Sequence, residues 1–426
     1  MKKSIFFSKY LVTILLGFSI DCSLADAPGQ SFVFQQSEKL LSGNLFDTLH
    51  HDKGNKWLSV GMGAYLRQYY SRDTFITFKG ARHSENLRPV LSHAIDWFGV
   101  HQLDDGYIPI WYRESTPTAD VVDLNMYLFA PYHRSANDGG IRQVDHVAQF
   151  IEAISDDYSI TGDKQVLAKR YTFAEKAWRY LYEISEDDLI TTKRSVHAGP
   201  DWADQISRSG KAAFVNAYWY HVTVLMAQMS GDLGLPDRRN FYDSKARAIS
   251  SQFNMIFWRQ AKPTNCEHGL IGYYASWVDG YADSGDYFEL DSNSLAVAVG
   301  LADPARAKMI LNEVSDNFDY FVNPVGATRV LCGTYAPKDT AVKVDTYHNG
   351  GYWYIVSYYL AAALSKYPTQ YKGLVSELRM RTNREVLNAG DEGLNEWYDR
   401  SGRPMGGKTY SWSIAFPMYL NALTFH

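Results

Sequence analysis

The chain has 426 residues, a formal net charge of −5 from 42 basic and 47 acidic side chains, and a composition that is 46% hydrophobic and 15% aromatic. The two signs are interspersed, which leaves neither the basic stripe of a nucleic-acid binder nor the basic face of a protein that sits on an anionic membrane. Three cysteines, with no Cys-x-x-Cys pair and no His-rich spacing, leave no zinc motif, and no metal or organic cofactor is expected.

Residues 1–25 read as a signal peptide. Lys2 and Lys3 form its basic start, Leu11 to Phe18 an apolar run too short to span a bilayer, and Ser23-Leu24-Ala25 a cleavage site. Asp21 directly before Cys22 is wrong for a lipid-attachment motif. The expectation is a periplasmic or secreted protein without stable membrane insertion, with residues 26–426 forming one domain. Cys266 and Cys332 then remain. An oxidising compartment permits a disulfide between them, and spacing alone does not choose between a bond and two buried thiols.

Helical periodicity dominates the rest of the chain. Arg72-Asp73-Thr74-Phe75 opens a helix. Its charged pair suits sugar hydroxyls by charge-assisted hydrogen bonds, and an N-cap at Asp73 is the competing reading. Asp104-Asp105-Gly106-Tyr107-Ile108-Pro109 reads as a turn ahead of Trp111 and Tyr112. Val144, Val147, Phe150, Ile151, Ile154 and Tyr158 keep three- and four-residue steps. So do the segments 165–185, 213–230, 240–258, 304–321, 351–366 and 369–388. Asp303-Pro304 is a helix start. Gly162-Asp163 and Gly231-Asp232 read as helix ends. Thr328 to Leu331 is the one short strand expected. About twelve helices emerge, and the longer loops 104–118, 194–211, 264–290, 323–350 and 390–412 hold the carboxylates, aromatics and glycines. Helix pairs packed in a ring, with one set of loops forming a cleft, account for that layout.

Three of those loops carry chemistry. Asp201-Trp202-Ala203-Asp204 precedes the helix near Ala212. An indole face covers the C–H face of a sugar, and a carboxyl group buried against it has the raised pKa of a general acid. Either aspartate fits that part. Tyr347-His348-Asn349-Gly350-Gly351-Tyr352-Trp353 offers donors and acceptors for hydroxyls on a backbone that glycine lets a ligand approach. Asn395-Glu396-Trp397-Tyr398-Asp399, followed by Trp412-Ser413, presents Glu396 as a base for water. Two carboxyl groups on opposite sides of one bond are what glycoside hydrolysis needs.

These blocks also resemble known families. Arg72-Asp73-Thr74, the Asp104 to Pro109 turn, Val144-Asp145 with Thr161-Gly162-Asp163, and Trp202-Ala203-Asp204 with Gly210-Lys211 and Asn216-Ala217-Tyr218-Trp219-Tyr220 resemble the glycogen-debranching amylo-alpha-1,6-glucosidases. Tyr347 to Trp353 and Glu396-Trp397-Tyr398-Asp399 … Gly406 … Trp412-Ser413-Ile414 are similar to alkaline/neutral invertases. The blocks run in order through nearly the whole chain after residue 25. The resemblance implies an all-α, (α/α)6 toroid of the six-hairpin glycosidase superfamily and inversion at the anomeric carbon. It places the general acid on Asp204 and the base on Glu396. It also implies a carbohydrate substrate whose terminal ring is held by Arg72, Asp73 and His348; Asp145, Asp201, Trp202, Lys211, Asn216, Asn349, Trp353 and Trp412 are the further candidates for binding it. The reaction expected is removal of a terminal sugar, α-linked glucose first. A sugar-binding protein without catalysis, and an inverting phosphorylase using Arg403 or Lys408 for its anion, are the alternatives. A lyase using Tyr347 and His348 leaves the two carboxylates idle.

Overall fold

The computed structural model describes residues 28–47, 55–62, 68–113, 143–192, 200–208, 210–268, 272–278 and 285–423. The leader assigned to residues 1–25 lies outside them, as do the side chains of Trp111 and Tyr112. Thirteen helices are described: α1 (Pro28–Gly43), α2 (Ser71–Ala81), α3 (Arg88–Val100), α4 (Asp145–Thr161), α5 (Lys164–Glu183), α6 (Ala213–Asp232), α7 (Pro236–Phe257), α8 (Leu290–Ala298), α9 (Pro304–Asp316), α10 (Phe318–Phe321), α11 (Tyr354–Ser365), α12 (Pro368–Ala389) and α13 (Ser411–Ala422).

Six of them close a ring. Each of α2, α4, α6, α8, α11 and α13 packs on the next, and α13 packs back on α2. The other long helices form an outer layer: α3 lies on α2 and α4, α5 on α4 and α6, α7 on α6, α9 on α8, α12 on α11 and α13, and α1 on α13 and α12. This is the expected (α/α)6 toroid. Sequence explains which helix goes where. The α11 stretch from Tyr354 to Leu364 carries no charge and is buried on nearly all sides, as an inner helix must be. Helix α5 keeps Leu167, Tyr171, Ala174, Trp178 and Leu181 on one buried stripe and its lysines outside, which suits a layer that faces water on one side.

The inner helices run parallel. Arg72 pairs with Asp145, Lys79 with Glu152 and Arg82 with Asp156, so α2 and α4 are tied by ion-pair rungs from end to end. Tyr410 meets Asp73 at the start of α13 and α2. The N-termini therefore collect at one mouth of the ring, and the loops that precede them build that mouth. Helix α2 also comes very close to α13. A Cβ built on Gly80 would lie 2.0 Å from the carbonyl oxygen of Ala415. Gly80→Ala is expected to cost about 1–3 kcal/mol by overpacking, read as a lower midpoint in chemical denaturation; an unchanged midpoint would show that this ring contact gives way freely.

The structure corrects several boundaries. The 304–321 segment is two helices, because Asn317 leaves helical geometry between α9 and α10. The 351–366 helix starts only at Tyr354, since Tyr352–Trp353 joins a sheet. Helix α6 runs through Asp232, so the turn expected at Gly231-Asp232 falls at Leu233 and Gly234 instead. Asp303 and Asp163 cap α9 and α5 as expected, whereas the N-cap of α2 is Tyr70, not Asp73. Strands are more numerous than the sequence suggests. Thr328–Arg329, Tyr352–Trp353, Trp397–Tyr398 and Pro404–Met405 form one antiparallel sheet. Tyr273–Val278 and Gly285–Phe288 form a hairpin inside the expected 264–290 loop. Cys266 and Cys332 are bonded, which fastens that hairpin region to the segment after Thr328.

Candidate active site

Arg72 anchors the mouth. It stands in the first turn of α2 and is almost fully buried. Its Nε donates to Asp145 Oδ2 at 2.7 Å, and its Nη2 donates to Asp145 Oδ1 and Gln143 Oε1, both at 2.8 Å. Burial alone would lift the Asp145 carboxyl, but Arg72 and His146 outweigh it and hold Asp145 down at about 2. Burial also works against the Arg72 charge, yet Asp145 and Asp73 keep it above its ordinary value. Asp73, one residue along, accepts a 2.9 Å hydrogen bond from the Tyr410 hydroxyl. Burial pushes its carboxyl up to about 6 against the pull of Arg72.

The segment from Asp201 to Arg208 supplies the next wall. Asp201 is fully buried and ion-paired to Arg208 at 2.5 Å. Trp202 is also buried, and its Nε1 donates to Asp291 at 2.7 Å. Asp204 alone of the two aspartates reaches solvent, with its side chain 27% exposed. Desolvation raises its carboxyl to about 6, against the attraction of Arg72. That is an environment for a proton donor near neutral pH. A donor must be protonated to act, so kcat/KM for an unactivated glycoside is expected to fall as pH rises through about 6. A profile flat from pH 5 to 8 would remove Asp204 from that role.

The third wall comes from the strand pairs. Tyr352 pairs with Tyr398, which brings the His348 and Glu396 loops side by side. Glu396 is 6% exposed, and its Oε2 accepts the backbone N–H of Gly407 at 3.0 Å. Gly406, at φ 70°, sits against it so closely that a Cβ there would lie 2.4 Å from Oε2. Only glycine fits that turn. A row of rings joins the two carboxylates. Trp202 meets His348 edge-on at 5.0 Å, His348 stacks on Trp353 at 5.0 Å, and Trp353 stacks on Trp397 at 6.2 Å. Trp412 adjoins Trp353 at 6.4 Å. Burial, with Arg208 and Arg72 nearby, holds His348 well below the usual histidine range, so the ring is neutral. Its Nδ1 lies 3.8 Å from Asp204 Oδ1. His348 Nδ1 and Trp412 Nε1 are buried without a hydrogen-bond partner among the described residues. Buried polar atoms normally have one, and both are suited to the hydroxyls of a sugar. A groove of about 950 Å3, lined by residues including Lys262, Thr340, Lys343 and Asn349, opens beside this wall. Thr340 Oγ1 donates to the Gln205 carbonyl at 2.8 Å, which stitches the groove's lining to the segment that bears Asp204.

Arg72, Asp73, Asp145, Trp202, Asp204, His348, Trp353, Glu396 and Trp412 thus meet at one mouth, linked by the contacts above. Others expected there turn out to hold the scaffold. Asn216 is fully buried and spends its amide on both backbone groups of Ile190, at 2.7 and 3.0 Å, and on the Ala212 carbonyl. Asn349 is tied to the Tyr335 N–H and the Val342 carbonyl, each at 2.8 Å. Asp201 is occupied by Arg208, and Lys211 lies in a short strand against Val278. Arg403 pairs with Asp399 and Lys408 with Glu392 at the surface, so the two cations that suggested an anion pocket already have partners. The Asp104 to Pro109 turn braces α4, because His146 Nε2 contacts the Ile108 carbonyl at 2.8 Å. Sequence reasoning missed Gln143, Arg208, Glu289 and Asp291. A signal for two of them was present: Glu289 and Asp291 flank a leucine in an otherwise core-like stretch, and a buried carboxylate requires a cation.

The family model described as amylo-alpha-1,6-glucosidase matches residues 30–418. The chain belongs to the amylo-alpha-1,6-glucosidase family. It is accordingly a member of a glycosidase family on a six-hairpin toroid. Among solved structures, a GH63 mannosylglycerate hydrolase from Thermus thermophilus in complex with glucose aligns with a TM-score of 0.63 at 14% identity, over 91% of this chain and 99% of that one. A wild-type protein described as a glycosidase aligns with a TM-score of 0.59 at 13% identity, over 92% and 96%. At such identities the likeness to this amylo-alpha-1,6-glucosidase family member is one of fold. No curated protein matches the chain in sequence.

Proposed function

We propose that this family member is an exported glycoside hydrolase that removes a terminal sugar, α-linked glucose, by single displacement with inversion. Asp204 protonates the leaving oxygen. Glu396 takes a proton from the water that attacks the opposite face. Arg72 and Asp73 hold hydroxyls of the terminal ring, with His348 and Trp412 along the aromatic wall. The observation that carries the reading is the state of Asp204: it is the aspartate of its segment that reaches solvent, and desolvation lifts its carboxyl to about 6. The glucose bound to the structurally similar hydrolase supports a hexose in the mouth. The Cys266–Cys332 bond supports an oxidising compartment, and no described helix is long and apolar enough to cross a membrane.

Inverting enzymes separate their two carboxyl groups by about 6.5–9.5 Å to admit water. The experiment is a screen of α- and β-linked disaccharides, with proton NMR of the first-formed anomer. β-Glucose released first from an α-glucoside is the expected result. α-Glucose first would overturn inversion, and turnover only with added phosphate would replace hydrolysis by phosphorolysis.

A further inference from the structure

We infer that Arg208 is a positioning residue for the proton donor, a buried clamp that holds both ends of the 201–208 segment and so fixes where Asp204 points. This rests on the reading of Asp204 as the acid. Arg208 is fully buried, as are the three carboxylates around it. Its Nη1 lies 2.5 Å from Asp201 Oδ2, its Nη2 2.8 Å from Glu289 Oε2 and 3.6 Å from Asp291 Oδ2, and its Nε 3.2 Å from Glu289 Oε1. The Asp201 contact closes the segment on itself, first residue to last. The Glu289 and Asp291 contacts fasten it to the start of α8.

Other ties brace the segment, among them the Thr340 hydroxyl on the Gln205 carbonyl at 2.8 Å. Asp201 Oδ1 accepts the Ala203 N–H at 3.0 Å, and Trp202 Nε1 donates to Asp291 at 2.7 Å. Ile206 N–H reaches back to the Ala203 carbonyl at 3.0 Å, and Ser207 N–H donates to the Asp339 carbonyl at 2.8 Å. The Tyr335 hydroxyl donates to Glu289. Between these anchors, only Asp204 and Gln205 reach solvent. The acid is thus near the tip of a short loop held at its base by ion pairs and beside the tip by Thr340.

Stability alone does not call for such a cluster. Three carboxylates against one guanidinium leave unbalanced negative charge, and burial pushes Asp201, Glu289 and Asp291 above the usual carboxylate range. Well-packed apolar side chains of similar volume are often as stable as a buried ion pair or more so. What the cluster adds is one geometry for the loop. A donor misplaced by about 1 Å costs roughly 100-fold in rate.

Arg208→Lys and, as a gentler variant, Asp201→Asn test this on two substrates, isomaltose and α-glucosyl fluoride. Fluoride leaves with little need for a proton, so its hydrolysis reports everything except the acid. The expected result is a loss of about 100-fold in kcat for isomaltose, turnover of the fluoride within about threefold, and faster amide exchange at residues 202–207 with the inner helices unchanged. Equal losses on both substrates, or no loss on either, overturn the clamp. Should the wild-type protein hydrolyse neither substrate, the catalytic reading falls by itself, and amide exchange alone decides the clamp: protection at 202–207 equal to wild type overturns it.

Discussion

Glu396→Gln is expected to lower kcat by about three orders of magnitude while leaving KM within a few-fold, since a general base contributes roughly 10²–10⁴ to rate and little to ground-state binding. Glutamine keeps the volume that Gly406 leaves at that turn, where the carboxylate now accepts the Gly407 N–H. Folding should therefore survive, and calorimetric titration of the variant with the hydrolysable sugar should give a Kd within a few-fold of the wild-type KM. A protein that only binds sugar shows no turnover to lose. If the variant keeps more than a tenth of wild-type turnover on isomaltose, the base lies elsewhere.

Arg72→Met is expected to destabilise the fold by about 3–5 kcal/mol at pH 7, the cost of leaving a buried carboxylate without its partner. Asp145 loses its bidentate cation, and Asp73 and Asp204 lose an attraction that now holds them down. The pH dependence follows from the sign of the Asp145 shift. Its folded pKa of about 2 lies below its ordinary 3.8. The stabilisation it brings is therefore complete above 3.8 and is lost as pH falls toward 2. Wild type and variant should differ most in denaturation at neutral pH, and the gap should narrow near pH 2.5. A gap independent of pH would mean that the Arg72–Asp145 pair contributes nothing through ionisation. In the same variant, whatever activity remains should persist to higher pH, because Asp204 then keeps its proton longer.

The fold was legible from the recurrence of helical periodicity, the helix count and the family resemblance, whereas the split into inner and outer helices, given the same stripe in the sequence reading, came from the structure. Helix α11 is buried on nearly all sides and α5 on one stripe. The start of α11 was misplaced. Tyr352 and Trp353 suit a strand as well as a helix, and only the partner strand at Trp397–Tyr398 decides between them. The site was legible where charged or carboxylate-aromatic motifs and the family resemblance marked it. Arg72 and Asp73 stood out as a charged pair at a helix start and Asp145 through the family resemblance; all three proved to be buried, with Arg72 bonded to Asp145. Reading failed for Asn216 and Asn349, because an amide suited to sugar hydroxyls is equally suited to backbone groups, and nothing local tells which of the two it will meet.

The amino-acid sequence was enough for the all-helical class and for the resemblance to a glycosidase family, since periodicity and short motifs are local properties. Tertiary structure alone decided which of Asp201 and Asp204 is open to solvent, that Cys266 and Cys332 are bonded, and that Arg208 gathers Asp201, Glu289 and Asp291. A carboxyl group's protonation and a cysteine's partner are set by what stands within a few ångströms, and here, Arg208 beside Asp201 apart, those neighbours lie tens of residues away along the chain.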